Sequence, residues 1–340
     1  MEKHDFVIIG AGLSGSVLAY LLKKSNFDVI LIEKEDINKK EKLCGGLVTD
    51  KTIKLLYSLF NKEEVDSLLK SHFNSASVIS NSFEIMVDEI NLATVRRKEL
   101  DRYILNKYIE LNGNIIYNEC FDKIDFSNNI IHINDKEIKY KTLIAADGAL
   151  SKLRSLKQGR KQNRNFALET FTNKRDDKLR IEFAEKINGY NWIIPCGERI
   201  GYGTGDVTSN FNIEGEYLRF LEKNNVEDTD TKGAFLPTGD DILLKDGNVF
   251  FVGDAAGLIL PITGEGIYFA IKSSITLYNS IINNNDYCKE MKKDISLIRK
   301  HQKLNKIIYN KKLRNHIFKK ANNSKIMLRA CKYVCRRYIL

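Results

Sequence analysis

The chain has 340 residues, of which 43% are hydrophobic and 29% charged, with a net charge of +10. These are proportions of a folded globular protein, not of a disordered or fibrous one. No apolar run is long enough to span a bilayer, the N-terminal Met1-Glu2-Lys3-His4-Asp5 is unlike a signal peptide, and six scattered cysteines without a CxxC pair argue against a disulfide or zinc framework.

Residues 6–9 are a short apolar run, as expected of a strand buried on both faces. Gly10, Gly12 and Gly15 follow at GxGxxG spacing: one for the tight turn, one for close approach of a pyrophosphate, one for packing of the next helix on the sheet. That helix is expected from Ser14 to Lys24, with Val17, Leu18, Leu21 and Leu22 on its apolar face. Leu13 and Ser14 open it, where free N–H groups and the positive dipole end meet phosphates. A second strand, Asp28–Ile32, ends in Glu33, placed to accept the ribose hydroxyls of an adenosine; Lys34 follows it. An acid here disfavours a 2′-phosphate.

Further along, Leu43-Cys44-Gly45-Gly46 forms a loop, helices are expected over residues 50–60 and 62–71, and alternation predicts strands over 74–95. A helix begins at Arg97 and runs to about Leu111, with Gly113 as its C-cap. Strands over 114–118, 120–125, 130–133 and 141–146 lead to Asp147-Gly148, with Ser151 and Arg154 beyond. Residues 163–240 read as mostly antiparallel strands, among them Tyr190-Asn191-Trp192-Ile193-Ile194-Pro195, which would line Tyr190, Trp192 and Ile194 along one face. Another buried strand, 248–253, runs into Gly253-Asp254-Ala255-Ala256-Gly257, then Pro261, Gly264-Glu265-Gly266 and a helix expected from Glu265 to Ile282. Asp254 suits a sugar hydroxyl or a helix N-cap. The two glycine segments together point to FAD, held by a sheet that closes late in the chain.

Residues 289–340 carry 17 Lys or Arg against Glu290 and Asp294, so the rest of the chain is net acidic. Leu297, Ile298, Leu304, Ile307, Ile308, Leu313, Ile317, Phe318, Ile326 and Leu328 recur among them with rough helical periodicity. Such helices suit an anionic membrane surface; a helix packed on the protein remains an alternative, and without a stacking platform nucleic acid is not an expected partner.

GxGxxG, then Asp147-Gly148-x-x-Ser151-x-x-Arg154, then Gly253-Asp254, in this order, resemble the flavin monooxygenase and reductase superfamily of the para-hydroxybenzoate hydroxylase fold. Tyr190-x-Trp192-x-x-Pro195, seven residues, and Gly203-Thr204-Gly205 resemble the YxWxFP-x7-GxG signature of the geranylgeranyl reductase family, with Ile194 where that family usually has Phe. Cys44-Gly45 is similar to that family's loop beside the flavin. The resemblance implies an α/β fold: a Rossmann-type FAD-binding domain (1–73, 96–160, 245–285), an inserted mostly antiparallel β substrate domain (74–95, 161–244) and a basic helical C-terminal region (286–340). It implies cofactor contacts at Gly10, Gly12, Leu13, Ser14, Gly15, Glu33, Lys34, Cys44, Gly45, Arg97, Asp147, Gly148, Gly253, Asp254, Pro261, Gly264, Gly266 and Ile267, with Arg96 not separable from Arg97. Cys44, Tyr190 and Trp192 are the candidate catalytic and substrate-pocket residues; no metal is expected.

The activity implied is reduction of carbon–carbon double bonds in a prenyl or other apolar, lipid-like substrate by hydride from flavin N5. The alternative is an FAD-dependent monooxygenase. The proton donor is open between Cys44, Tyr190 and water. The reductant is NAD(P)H or ferredoxin, since no second GxGxxG is present. The expected location is cytoplasmic, with peripheral contact on the inner face of the membrane through the basic helices.

Overall fold

The computed structural model describes residues 2–36, 39–173, 176–208, 212–228 and 230–340. β1 (Glu2–Ile9) turns at Gly10 into α1 (Leu13–Lys24) and returns as β2 (Val29–Glu33). The turn is possible because Gly10 has φ +102, a region closed to most L-residues. β3 (Leu47–Thr49) runs directly into α2 (Asp50–Leu59), followed by α3 (Lys62–Leu68) and a long hairpin, β4 (Leu69–Ser80) and β5 (Phe83–Val95). The chain continues through α4 (Arg97–Ile109), β6 (Asn114–Tyr117), β7 (Lys123–Asp125), β8 (Ile130–Ile133), β9 (Lys136–Ala145) and α5 (Lys152–Gln158). Next come β10 (Arg164–Thr172), β11 (Arg180–Phe183), β12 (Gly189–Cys196), β13 (Arg199–Asp206), α6 (Glu214–Lys223) and β14 (Lys232–Pro237). β15 (Lys245–Asp246), β16 (Val249–Phe251), a 3-10 turn over Gly253–Ala256 and α7 (Ile267–Ile282) follow, then α8 (Tyr287–Glu290), α9 (Lys292–Ile308), α10 (Lys311–Asn323) and α11 (Lys325–Tyr338).

The first sheet has the order β15-β16-β9-β1-β2-β6, with β8 also pairing β9 and β7 pairing β8. Its centre is parallel: β1 lies between β2 and β9, and β16 adds to the far side of β9. Val7, Ile8, Leu31, Leu143 and Ile144 are buried there, matching the continuous apolar runs of a sheet covered on both faces. Because β16 joins so late in the chain, the N-terminal and C-terminal glycine segments sit at the same end of one sheet.

The second sheet has the order β14-β10-β13-β12-β11-β4-β5-β3 and is antiparallel except where β11 meets β4. It takes in Leu47–Thr49, and its hairpin starts at Leu69, ahead of the 74–95 read from alternation. Register irregularities between Leu69 and Ser71 and between Phe73 and Ser75 interrupt the period of two, and this hid the early part of β4. For the same reason α3 ends at Leu68 and not at 71. The strand expected from Cys120 is shorter, beginning at Lys123, and α7 begins at Ile267, so Gly264-Glu265-Gly266 stays in the loop.

α6 covers one face of the second sheet, burying Tyr217, Phe220 and Leu221 against Ile193 and Tyr202. The C-terminal helices are not free. Tyr309, Phe318, Ala321, Cys331 and Cys335 are buried with Val78, Ile85, Val87 and Phe183 of the same sheet. Ile298 joins the core of the first sheet. The apolar residues of the tail thus divide: Leu304, Ile308, Ile317 and Leu328 pack inward, while Ile307, Leu313 and Ile326 remain exposed.

Candidate active site

Between the C-terminal ends of β1, β2, β9 and β16 and the face of the second sheet lies a cavity of about 570 Å³. Of the residues expected at the cofactor, Gly10, Gly12, Leu13, Ser14, Glu33, Lys34, Cys44, Gly45, Arg97, Asp147, Gly148, Asp254, Pro261, Gly264, Gly266 and Ile267 line it. Gly15 and Gly253 do not. A Cβ on Gly15 would lie 1.9 Å from the Gly10 carbonyl, and one on Gly253 would lie 2.1 Å from Ser14 Oγ. Both glycines are there to let backbone meet backbone or side chain, behind the cavity wall.

Gly12 differs. Among the described residues nothing lies within 4 Å of where its Cβ would be, and the same holds for Gly148. The two glycines leave open space on the two strand-ends that face the cavity. Beside Gly148, Asp147 is held by the Leu153 N–H (3.2 Å), while its Oδ1 is buried without a partner among the described residues, and burial pushes its carboxyl up. Glu33 accepts from Ala11 N (2.7 Å) and Glu35 N (3.0 Å) and pairs with Lys40, fixing the turn while lining the cavity. Lys42 Nζ lies 2.5 Å from Asp254 Oδ2. Lys34, Lys40 and Lys42 thus line the cavity, paired with Glu35, Glu33 and Asp254 respectively.

Geometry separates the two arginines. Arg97 is buried on the cavity wall and bidentate with Asp101 (2.9 and 2.9 Å), whereas Arg96 reaches Glu99. Burial disfavours the Arg97 charge, but Asp101, with Cys44 and Asp254 near, more than offsets this and raises it.

These features fit FAD. A glycine with open space beside it opens α1, a carboxylate stands at the end of β2, Asp147 offers a buried acceptor without a partner among the described residues, and α7 presents its N-terminus after the Pro261–Gly266 loop. Gly12, Leu13 and Ser14 would hold the phosphates, Glu33 the adenosine ribose, and Asp254, Asp147 and Arg97 the middle of the cofactor.

The far wall belongs to the second sheet. Tyr190, Trp192 and Ile194 of β12 line the cavity from one face, with Ala167 and Glu169 of β10, Ile181 and Phe183 of β11, and Tyr309, Ile339 and Leu340 from the C-terminal region. The Tyr190 and Trp192 ring centroids are 5.6 Å apart. The Tyr190 hydroxyl donates to the Thr263 carbonyl (2.5 Å), fastening the loop before α7, and burial holds its proton on. Cys44 is half-buried, and its Sγ accepts from Gly46 N at 3.4 Å.

Sequence reasoning missed Glu169. It is buried, Trp192 Nε1 donates to its Oε1 at 2.8 Å, and its Oε2 has no partner among the described residues. Burial pushes its carboxyl up to about 7, against the pull of the Trp192 N–H and of Arg199. The available signal was glycine on β13: Gly201, Gly203 and Gly205 alternate along one face, leaving space that large neighbours fill.

A nucleotide-binding parallel sheet sharing one cavity with an apolar-walled antiparallel sheet defines a Rossmann-based flavoprotein oxidoreductase. A family model for the NAD(P)-binding Rossmann-like domain matches residues 8–38. The chain is 26% identical to a digeranylgeranylglycerophospholipid reductase of Methanocaldococcus jannaschii, over 86% of this chain and 81% of that protein. It is 25% identical to the chloroplastic geranylgeranyl diphosphate reductase of Arabidopsis thaliana, over 85% and 68%. In fold it matches a geranylgeranyl bacteriochlorophyll reductase-like protein from Thermoplasma acidophilum at a TM-score of 0.70, with 21% identity, covering 100% of this chain and 93% of that one. A probable FAD-dependent monooxygenase from Pseudomonas aeruginosa shares the fold at 0.73, with 16% identity over 94% and 100%. The chain is a relative of the geranylgeranyl reductases.

Proposed function

We propose that this chain is an FAD-dependent enzyme that reduces carbon–carbon double bonds of a prenyl or other apolar, lipid-like substrate. The observation that carries this reading is the continuity of the cavity, from the glycine turn at Gly12 to an aromatic and aliphatic wall at Tyr190, Trp192, Ile181 and Leu340. Bound FAD would supply the hydride. The chain's own residues would bind and orient: Gly12, Glu33 and Asp254 fix the cofactor, Tyr190 secures the Pro261–Gly266 loop, and the apolar wall excludes water from the reacting carbons. Reduction also needs a proton at the second carbon, because an isolated alkene accepts hydride poorly.

The test is anaerobic. Protein reduced by dithionite is mixed with a geranylgeranyl-bearing lipid or diphosphate, and mass spectrometry reads the product. A gain of two mass units per double bond, with return of the oxidised flavin spectrum, supports the reading. Oxygen insertion into an apolar or aromatic acceptor after exposure to O2, with no double-bond reduction, would establish the monooxygenase instead.

Among the described residues no helix is long and apolar enough to cross a membrane. Contact with an anionic membrane on its cytoplasmic side would go through α11, where exposed Ile326, Tyr333 and Val334 lie among exposed Lys325, Arg329, Arg336 and Arg337. A substrate that lives in a bilayer makes such contact useful.

A further inference from the structure

β13 runs between β10 and β12, and its glycines let both neighbours place large side chains over one face. A Cβ at Gly203 would fall 2.2 Å from the Trp192 ring, and one at Gly201 would fall 2.6 Å from Glu169 Oε1. Glu169 and Trp192 fill these spaces, joined by the 2.8 Å indole hydrogen bond. On the cavity side the pair meets the cysteine–glycine loop: a Cβ at Gly45 would lie 2.7 Å from Ile194 Cδ1 and 3.4 Å from Glu169 Oε1.

Glu169 is thus a carboxyl set in the apolar wall of the cavity, with no cation at ion-pair distance among the described residues. A buried carboxyl in that setting holds its proton. The ionisable groups around it are Arg199 of β13, Tyr190 of β12 and Tyr217 of α6, and Cys44 of the adjoining loop lies near Tyr190. Arg199 is engaged elsewhere, stacking on Phe171 at 4.1 Å and reaching Glu41 at 3.5 Å. Tyr190 is committed to Thr263.

We propose that Glu169 is the acid that protonates the second carbon of the double bond. The proposal rests on the double-bond reductase reading and deepens it. Two hydrogens are added: the hydride that bound, reduced FAD would supply, with two electrons restored to it by NAD(P)H or by two equivalents of reduced ferredoxin, and the proton from Glu169. The Glu169 O–H bond breaks as the new C–H bond forms, and water returns the proton afterwards. The Trp192 N–H stays on Oε1 and stabilises the carboxylate as it appears. The faces of Tyr190 and Trp192 can steady positive charge developing on the carbon that waits for hydride.

Trp192 is the chain's single tryptophan, so its fluorescence reports on the carboxyl it touches. In the 340-residue chain a pH titration of indole emission is expected to show a midpoint near 7 that is absent in E169Q, which separates Glu169 from Cys44. E169Q is expected to slow double-bond reduction in a single turnover by about 100-fold or more, with flavin content, dithionite reduction and substrate affinity within about twofold of wild type. Should E169Q not fold, E169D carries the test: it keeps a pH-dependent emission but loses rate because the acid is withdrawn. An emission midpoint in the ordinary carboxylate range, or unimpaired reduction by these variants, overturns the proposal while leaving the reductase reading intact. No double-bond reduction by the wild type overturns both.

Discussion

Arg154 Nη1 donates to the carbonyl of Ala255 at 3.2 Å, tying the segment after β9 to the segment after β16. The same guanidinium reaches Gln162 (2.6 Å) and both the carbonyl and the carboxylate of Asp241 (2.8 and 2.8 Å), and Gln162 in turn donates to the Asp254 carbonyl at 3.0 Å. Arg154 therefore braces the strand-end carrying Asp254 from behind and is fully buried. R154L leaves these acceptors unsatisfied and strips Asp241 of one of its two cations, Arg160 being the other. We expect a loss of about 3 kcal/mol in urea unfolding, accompanied by weaker FAD retention. Unchanged stability would show that the bridge does not hold the two segments together.

Gly12 and Gly15 belong to one motif but should fail differently. The open space beside Gly12 and its extended backbone (φ −77) accept a side chain without strain. G12V is expected to unfold within about 1 kcal/mol of wild type and to lose FAD, read by absorbance of the purified protein. G15A puts a methyl group 1.9 Å from the Gly10 carbonyl, so at least 1–3 kcal/mol of overpacking is expected, with FAD lost as a consequence of the distorted turn. Equal stability losses in the two variants would contradict the assignment of Gly12 to the cofactor face.

The cofactor half was legible because each motif encodes local backbone geometry: Gly10 its positive φ, Gly15 its close contact, Glu33 its place at the end of β2. Tyr190, Trp192 and Ile194 were legible as one face because β12 keeps its alternation. Glu169 was not, since its partner lies 23 residues away on β12 and a single acid in a β10 reading carries no period. The tail was readable as basic helices. What covers their apolar side was not, because Val78, Ile85 and Val87 are supplied from more than 200 residues earlier.

His301 of α9 gives the C-terminal helices a pH dependence. It is buried, its ring centroid lies 5.4 Å from that of Tyr338, and its Nδ1 has no partner among the described residues. Burial, with Lys300, Arg337 and Lys51 near, lowers its pKa to about 4. The unfolded chain, titrating near 6.5, binds a proton in this window that the folded chain does not. Stability is therefore full above about pH 6.5, falls as pH drops, and levels off below about 4. The effect is at most about 3 kcal/mol. Urea unfolding at several pH values in this range should show the slope in wild type and a reduced slope in H301F. An identical slope in both would assign the acid sensitivity to other groups.

Membrane contact through α11 makes a prediction that separates it from mere basicity. Ile326 and Tyr333 are 79% and 62% exposed, one helical face carries them with Val334, and the buried face of the same helix is already spent on Cys331 and Cys335. Insertion would then involve this outer face alone. Each basic residue near an anionic surface adds about 1 kcal/mol, so R329A with R337A together should weaken binding to phosphatidylserine-containing vesicles by about thirty-fold, and raising the salt should do likewise. I326S with Y333S should weaken binding at constant charge and at high salt as well, since apolar burial is not screened. Cosedimentation with anionic and with neutral phosphatidylcholine vesicles reads both effects. If the charge variant loses binding and the apolar variant does not, the tail is an electrostatic patch without insertion; if neither variant changes cosedimentation, α11 is not the contact surface.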